Sequence, residues 1–151
     1  MAESYIPEGY HSVTPYIITK DADGVIAFLE KTFDAKVKMM MRAPDGKVGH
    51  AEVLIGNSHL MISDSNELHQ AMPSMLYIYV PKVDDNYKRG LDAGAESIRE
   101  PTDEFYGDRS AGLKDKAGNQ WWIATHQKQV AVEEMQEKFE EMRKEQMEGS
   151  K

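Results

Sequence analysis

Apolar positions in the first half of the chain change from strand spacing to helix spacing and back. Residues 12–19 (SVTPYIIT) are rich in β-branched and aromatic side chains and predict a strand. In residues 21–35, Val25, Phe28, Leu29 and Phe33 recur at helical spacing, behind Asp21 as a candidate N-cap. Further strands are predicted over residues 36–43, 48–55 and 60–63. The first half therefore predicts the order β-α-β-β-β.

The same order returns after the polar stretch 65–73. Residues 75–80 (MLYIYV) predict a strand, and residues 84–95 predict a helix that ends at Ala93-Gly94-Ala95. Three more strands are predicted over residues 97–99, 110–114 and 120–125, the last two joined by a KAGN turn. We therefore predict two β-α-β-β-β modules, at about 12–64 and 74–126.

The end of the chain has a different pattern. Val132, Met135, Phe139 and Met142 lie at steps of three and four among Glu, Lys, Gln and Arg. This spacing predicts an amphipathic helix over residues 129–148, within a C-terminal extension of residues 127–151. Its apolar stripe either docks on its own domain or packs on a second subunit, and the pattern leaves both open.

Composition excludes several classes of function. The 151 residues carry a net charge of −8 and no basic cluster, which argues against nucleic acid or an anionic membrane as partner. With no cysteine, the chain can have neither disulfides nor thiolate nucleophiles nor Cys-type zinc sites. No signal peptide or membrane-spanning run is present, so we expect a soluble cytoplasmic protein.

Three segments of the chain resemble three parts of one known superfamily, and they follow one another in the same order as those parts do. They are PYIITKDADGVIAFLEKTFDA, GHAEVLIGNSHLMISD and YGDRSAGLKDKAGNQWWIATH. They resemble the opening strand and helix, the central hairpin and the closing hairpin of PhnB-like proteins. That branch belongs to the glyoxalase/bleomycin resistance/extradiol dioxygenase (vicinal oxygen chelate) superfamily. The resemblance implies an α+β fold over residues 1–126, in which two βαβββ modules form curled mixed sheets around a cavity.

The resemblance also implies where a metal would bind. Metal-using members carry His, Glu or Gln on the first and last strand of each module. The corresponding positions here are Thr14, Met75, Trp122 and a less certain place around Ile62-Ser63. None offers an imidazole or a carboxylate, which a divalent ion requires from several converging side chains. We therefore expect the usual metal site to be missing, and no cofactor.

Strand alternation then assigns the aromatic residues to faces. If Thr14 and Met75 face the cavity, so do Tyr16, Tyr77, Tyr79 and Trp122, whereas Trp121 points beneath a helix. These rings predict a pocket for a flat or apolar small molecule. The alternative is that they fill the core of a compact domain.

Polar candidates complete the predicted site. His50 and Glu52 share one face of a strand, where they suit a general base, two metal ligands or a structural pair. His126 either joins Trp122 in the pocket or caps the strand end. Arg109, beside Tyr106 and Asp108, either holds a carboxylate or phosphate or fixes a loop. The predicted ligand-binding residues are Tyr16, His50, Glu52, Tyr77, Tyr79, Arg109, Trp122 and His126.

Three functions remain open at this point. The leading prediction is a small-molecule binding protein that lacks the usual metal, and the superfamily resemblance implies a homodimer. The second is a metal-dependent lyase or isomerase with nonstandard ligands such as His50, Glu52 and His126. The third is a protein-interaction module with a vestigial pocket.

Overall fold

A computed structural model describes residues 3–149 as two four-stranded sheets and three helices. The first module contains β1 (Tyr16–Thr19), α1 (Ala22–Phe33), β2 (Lys36–Arg42), β3 (Val48–Ile55) and β4 (Ser58–Asp64). The second contains β5 (Met75–Tyr79), α2 (Val83–Asp92), β6 (Glu96–Asp103), β7 (Asp108–Lys114) and β8 (Gln120–His126). Helix α3 (Val132–Gly149) follows.

The two sheets have the same topology. Sheet 1 has the order β1-β4-β3-β2 and sheet 2 the order β5-β8-β7-β6, and neither closes on itself. The pairs β1–β4 and β5–β8 are parallel, and all other pairs are antiparallel. The predicted α+β fold of two βαβββ modules is thus confirmed.

In each module, a side chain at the end of the last strand accepts a hydrogen bond from the first residue of the helix. In α1, the Asp21 carboxylate accepts a hydrogen bond from the Gly24 N–H at 3.0 Å, and Asp64 accepts one from the Ala22 N–H at 2.8 Å. In α2, the Thr125 hydroxyl accepts a hydrogen bond from the Val83 N–H at 2.9 Å. These acceptors satisfy amides that have no partner inside a helix, so each helix is held to its own sheet.

Contacts between the modules join α1 to the second half of the chain. The Arg89 Nε donates to the Lys31 carbonyl at 2.8 Å, and the Asn86 amide donates to the Thr32 carbonyl at 2.8 Å. Both carbonyls lie in the last turn of α1, where intrahelical donors run out. The Arg89 guanidinium also forks onto Asp34, the C-cap of α1.

The buried core continues between the modules through Trp121. This side chain is fully buried, and its ring centroid lies 6.2 Å from the centroids of Phe28 and of Phe33 on α1. Its indole N–H donates to the buried Asp115 carboxylate at 2.8 Å, so the polar group is satisfied as well. Trp121 therefore belongs to the core, as its strand position predicted.

Several predicted boundaries differ from the structure, among them the start of the first strand and the start of the C-terminal helix. The first strand begins at Tyr16 instead of residue 12, because Pro15 has no N–H to donate and only its carbonyl pairs with β4. The C-terminal helix begins at Val132 instead of residue 129, after residues 127–130 have packed beside Gly107. No residue of α3 is buried.

Within residues 3–149, no helix is both long enough and apolar enough to cross a membrane.

Candidate ligand-binding face

Each sheet has one face covered by helices and one open face. Helix α1 packs against β1, β3 and β4, and α2 packs against β6, β7 and β8. On sheet 2 the covered side takes Trp121 and Ile123, which are fully buried. The open side takes the alternate residues, among which Tyr77 and Tyr79 are 42 % and 62 % exposed.

The rings on the open face of sheet 2 lie against the sheet. A Cβ atom placed on Gly112 would lie 2.9–3.0 Å from three indole carbons of Trp122, so this ring covers the glycine. Tyr77 and Tyr79 pair with Trp122 and Ala124 of β8, and their hydroxyls reach Asp108 on β7. The tyrosine side chains thus extend across β8, and Ala124 is fully buried. Gly112 and Ala124 thus leave room for the large rings against the sheet, and the rings of Tyr77 and Tyr79 meet edge to face, with centroids 5.4 Å apart and an interplanar angle of 65°.

Asp108 is the polar centre of this face. It is 3 % exposed, and its Oδ2 accepts hydrogen bonds from the Tyr77 and Tyr79 hydroxyls, each at 2.9 Å. Its Oδ1 lies 2.8 Å from Nδ1 of His126, and the Tyr106 hydroxyl lies 3.2 Å from that of Tyr77. Burial raises the pKa of Asp108, but the hydrogen bonds from His126, Tyr79 and Tyr77 outweigh it and hold the pKa below its usual range.

The same cluster acts on its tyrosines in the opposite direction. Burial, together with the Tyr106 hydroxyl and the Asp108 carboxylate, raises the pKa of Tyr77 far above its usual range. The hydrogen bond to Asp108 and burial also raise the pKa of Tyr79. Both phenols therefore stay protonated and act as donors to Asp108 at neutral pH.

His126 extends from this cluster to the surface. Its side chain is 51 % exposed, and the bond to Asp108 uses only Nδ1. An ionised carboxylate accepts hydrogen bonds and cannot donate them, so Nδ1 carries the hydrogen. In the neutral ring, Nε2 is then a free acceptor, and no residue among 3–149 forms a hydrogen bond with it.

The open face of sheet 1 carries the other predicted polar group. The Tyr16 hydroxyl lies 3.1 Å from Nδ1 of His50, and Nε2 of His50 lies 3.0 Å from a Glu52 carboxylate oxygen. Both ring nitrogens of His50 are thus occupied. Met39 and Met41 are exposed on the same face. This arrangement is a hydrogen-bonded row on the first sheet, separate from the cluster around Asp108.

Arg109 lies on the opposite side of sheet 2 from the rings. Its Nε and Nη2 donate to both carboxylate oxygens of Asp84 at 2.8 and 3.1 Å, and its Nη1 donates to Asp103 at 3.2 Å. Asp84 lies in the first turn of α2. The guanidinium therefore ties β7 and β6 to the start of α2, which is the loop-fixing alternative for this residue.

A groove of about 630 Å³ lies between the modules. One wall is β5 and the start of α2, and the other is the β3–β4 turn with the N-terminal residues. Tyr10 stacks on His59 there, with ring centroids 4.1 Å apart. Tyr77 and Tyr79 contribute to the lining, whereas the other predicted ligand-binding residues do not. In the single chain, the ring-bearing face is thus an open surface beside a groove.

The residues at the expected metal positions do not fit a divalent ion. Tyr16 pairs with Met61 and Tyr77 pairs with Trp122, and each tyrosine lies six residues before its helix. The position equivalent to Trp122 is therefore Met61, one residue before the predicted Ile62-Ser63. A thioether and an indole are not ligands for a hard or borderline cation. Among residues 3–149, no three His, Asp or Glu side chains lie close enough to share an ion.

Sequence reasoning missed the role of Asp108. It grouped Asp108 with its neighbour Arg109, but consecutive residues of a strand point to opposite faces. Asp108 pairs directly with His126 across the β7–β8 hairpin. The available signals were this register and the small residues Gly112 and Ala124, which lie on the same face as the rings.

Comparison with known proteins defines the family. The model of the Glyoxalase/Bleomycin resistance protein/Dioxygenase superfamily matches residues 9–123. The chain therefore belongs to this superfamily. An uncharacterized protein of Mycobacterium bovis is 28 % identical over 136 residues, which cover 83 % of this chain and 90 % of that protein.

Solved structures share the fold at lower identity. TioX from Micromonospora sp. ML1 is 20 % identical with a TM-score of 0.67, over 77 % of this chain and 98 % of that one. A PhnB protein from Bacillus cereus, described as a putative 3-demethylubiquinone-9 3-methyltransferase, is 17 % identical with a TM-score of 0.61. That match covers 76 % of this chain and 99 % of the other. The predicted likeness to PhnB-like proteins is confirmed at the level of the fold.

Proposed function

We propose that this protein binds a planar, largely apolar small molecule on the open face of sheet 2. The observation that carries the proposal is the indole of Trp122 lying flat over Gly112, beside the half-exposed rings of Tyr77 and Tyr79. Flat aromatic surfaces stack on flat ligands and bury much area at little cost in side-chain entropy. Residues His126 and Asp108 supply the polar edge of this surface.

The proposed surface uses part of the predicted residue set. It keeps Tyr77, Tyr79, Trp122 and His126 and adds Asp108. We leave out Arg109, because its guanidinium faces α2 and is occupied by two carboxylates. Tyr16, His50 and Glu52 form their own row on sheet 1 and are not needed for this surface.

Ligand binding can be tested with a neutral planar probe, 4-nitroanisole, by equilibrium dialysis. Replacing Trp122 by alanine removes the central ring, and the affinity should fall roughly three- to tenfold, as expected for one aromatic stacking contact. Tyr16→Ala, which removes an exposed ring from the open face of sheet 1, is the control and should leave the affinity unchanged. No binding by the wild-type protein, or equal loss in both variants, would contradict the proposal.

We also propose that the protein works without the metal of its catalytic relatives. The support is the donor set: a thioether at Met61, an indole at Trp122, and polar pairs on separate sheets. The alternative enzyme needs His50, Glu52 and His126 together, but His50 and Glu52 lie on sheet 1 and His126 on sheet 2. Elemental analysis of protein purified without a metal-affinity tag tests this. One tightly bound transition metal per chain would favour the enzyme.

We propose that the chain forms a homodimer and that α3 contributes to it. The support is that Val132, Phe139 and Met142 of its apolar stripe are exposed and that Met135 is only partly covered, so the stripe keeps apolar area for a second subunit. Light scattering of Phe139→Ser/Met142→Ser should show a lower mass than the wild type. Glu137→Ser/Glu141→Ser, on the opposite face of the helix, should keep the wild-type mass. An unchanged mass for the stripe variant would exclude α3 from the interface.

Composition supports the remaining expectations about partners and location. A net charge of −8 without a basic cluster disfavours nucleic acid and anionic membranes as partners. The cysteine-free chain is compatible with a reducing compartment, and we propose the cytoplasm. If the chain captures a partner protein through α3 and binds neither metal nor 4-nitroanisole, it is an interaction module instead.

A further inference from the structure

We propose that the ligand is a planar weak acid of the phenol type, held as its anion by a proton that His126 takes up at Nε2. This inference rests on the ligand surface proposed above and names the chemistry of its polar edge. The O–H bond of the ligand breaks and an N–H bond forms on the imidazole. No further reactant is required, since the proton only changes its carrier.

The first step in the argument is the fixed orientation of the imidazole. The Asp108 carboxylate is buried and lies 2.8 Å from Nδ1, so the ring hydrogen is held on that nitrogen. The lone pair of Nε2 then points away from Asp108, towards the exposed side of the ring. When Nε2 gains a proton, the positive charge lies beside a buried negative charge that has already lost its water.

The second step is the direction of the other hydrogens in the cluster. Tyr77 and Tyr79 both donate to Asp108, and the Tyr106 hydroxyl lies against that of Tyr77. Since the hydrogen of Tyr77 is already used, Tyr106 donates to Tyr77. All of these hydroxyl hydrogens are committed within the cluster, so none is left to hold a ligand anion. His126 is the group of this cluster that can accept a proton and then donate it back to the ligand oxygen.

The third step is the position of His126 relative to the rings. His126, Ala124 and Trp122 lie on one face of β8, and Tyr79 pairs with Ala124. Successive residues on one face are about 7 Å apart, so an aromatic ring stacked at Tyr79 can place a substituent near His126. The charged group that faces His126 is Asp108, and the other titratable groups of the cluster are the three tyrosines bonded to Asp108 or to one another. The nearby Glu104 is neutralised by Arg99 at 3.0 Å.

Sheet 1 offers a control within the same molecule. His50 also lies beside a carboxylate on an open face, but Tyr16 occupies its Nδ1 and Glu52 its Nε2. Its side chain is 21 % exposed, less than half of the value for His126. A histidine whose ring nitrogens both have partners has no lone pair for a ligand. Proton uptake should therefore be specific to His126.

The test compares 4-nitrophenol with 4-nitroanisole, which has the same shape but no acidic hydrogen. The anion of 4-nitrophenol absorbs at a longer wavelength than the neutral form, so its absorbance reports where the proton is. At a pH just below the pKa of the free phenol, binding to the wild-type protein should produce the anion band. In His126→Gln the band should be absent and the affinity for 4-nitrophenol should fall about tenfold. Asp108→Asn should weaken the band, because an amide stabilises the imidazolium less.

The controls separate this inference from the proposed function. His50→Gln should bind both 4-nitrophenol and 4-nitroanisole like the wild type. In His126→Gln, the affinity for 4-nitrophenol should fall by a larger factor than the affinity for 4-nitroanisole. If 4-nitroanisole binds and 4-nitrophenol stays neutral when bound, the inference is wrong and the ligand surface stands. An anion band that persists in His126→Gln also contradicts it. If neither probe binds to the wild type, the proposed surface itself fails.

Discussion

At the scale of single residues, a buried threonine, Thr32, and a partly buried one, Thr125, differ in their hydrogen bonding. The Thr32 hydroxyl on α1 is buried and has no hydrogen-bond partner among residues 3–149. The Thr125 hydroxyl accepts from the Val83 N–H at 2.9 Å and donates to the Val80 carbonyl at 2.8 Å. The Thr32 hydroxyl therefore costs free energy, because it has lost water without gaining a partner, whereas the Thr125 hydroxyl stabilises the start of α2.

Replacing each threonine by valine should change stability in opposite directions. Thr32→Val removes an unsatisfied hydroxyl and should raise the free energy of unfolding by about 1 kcal/mol. Thr125→Val removes the acceptor at the start of α2 and should lower it by about 1–2 kcal/mol. Urea unfolding followed by circular dichroism measures both. Equal effects of the two substitutions would show that the hydroxyl bonds do not matter.

Asp108 makes part of the stability dependent on pH. Because its pKa is lowered in the folded protein, its contribution is present above the ordinary carboxyl pKa of about 3.9 and is lost as the pH falls through the folded value. The wild type should exceed Asp108→Asn by about 1–3 kcal/mol at pH 7. That difference should shrink at pH 3, as measured by urea unfolding. A difference that does not change with pH would contradict the ionised state of Asp108.

Residue patterns predicted one part of the site and not the other. The period of two along a strand placed Trp121 in the core and Trp122 on the open face, because this rule needs only the local chain. It could not pair Asp108 with His126, since that contact depends on the register across a hairpin. Adjacency in the sequence suggested Arg109 as the partner of Asp108, although the strand turns these two side chains to opposite faces.

At the scale of elements, strand β7 determines how closely the rings approach sheet 2. Gly112 lies beneath the indole of Trp122, and a methyl group there would contact three of its ring atoms at 2.9–3.0 Å. The indole cannot move into the sheet, so it would have to tilt outwards. The position of the indole against the sheet thus depends on Gly112, a residue without a side chain.

Gly112→Ala should reduce the affinity for 4-nitroanisole roughly three- to tenfold, because the tilted ring loses part of its stacking area. Gly49→Ala on β3 is a matched control, since the nearest atom to its new Cβ is the Met41 carbonyl oxygen at an ordinary 3.5 Å. The control should bind like the wild type in equilibrium dialysis. Unchanged binding by Gly112→Ala would show that the position of the indole is not critical.

Element boundaries were predicted less well than element order. The β-branched run from residue 12 has the composition of a strand, but regular pairing begins only at Tyr16, after a proline. Strand β6 is longer than the predicted residues 97–99, since it pairs with β7 through two irregular steps in spite of Pro101. Composition describes side chains, whereas a strand boundary depends on which backbone groups find partners.

At the scale of the whole molecule, Trp121 couples the two modules. It belongs to β8 of the second module and packs against two aromatic residues of α1 in the first module, so this one side chain is part of the core of both halves. Trp121→Ala should lower the free energy of unfolding by about 3–5 kcal/mol. Trp122→Ala, its neighbour on the open face, should cost about 1 kcal/mol or less. Similar losses for both, in urea unfolding, would contradict their assignment to opposite sides of the sheet.

The single chain leaves its ring-bearing face uncovered, and this could not be read from the sequence. Alternation identifies which residues share a face, but it does not tell what lies above that face. The resemblance predicted a cavity, and the chain alone provides an open surface with a groove of about 630 Å³ beside β5. The second subunit that we propose would cover this face, so the oligomeric state bears directly on the proposed ligand binding.

The side-chain bonds from α2 to the end of α1 run in one direction only, which makes the two modules unequal. Counted from the helix starts, the places of Arg89 and Asn86 are taken in α1 by Phe28 and Val25, which have no donors. The place of Asp34 is taken by Ala95 in the second module. A chain made of two copies of either half would lack the donors or the carboxylate. The bonds therefore require two different halves, so neither module can be replaced by a copy of the other without losing some of them.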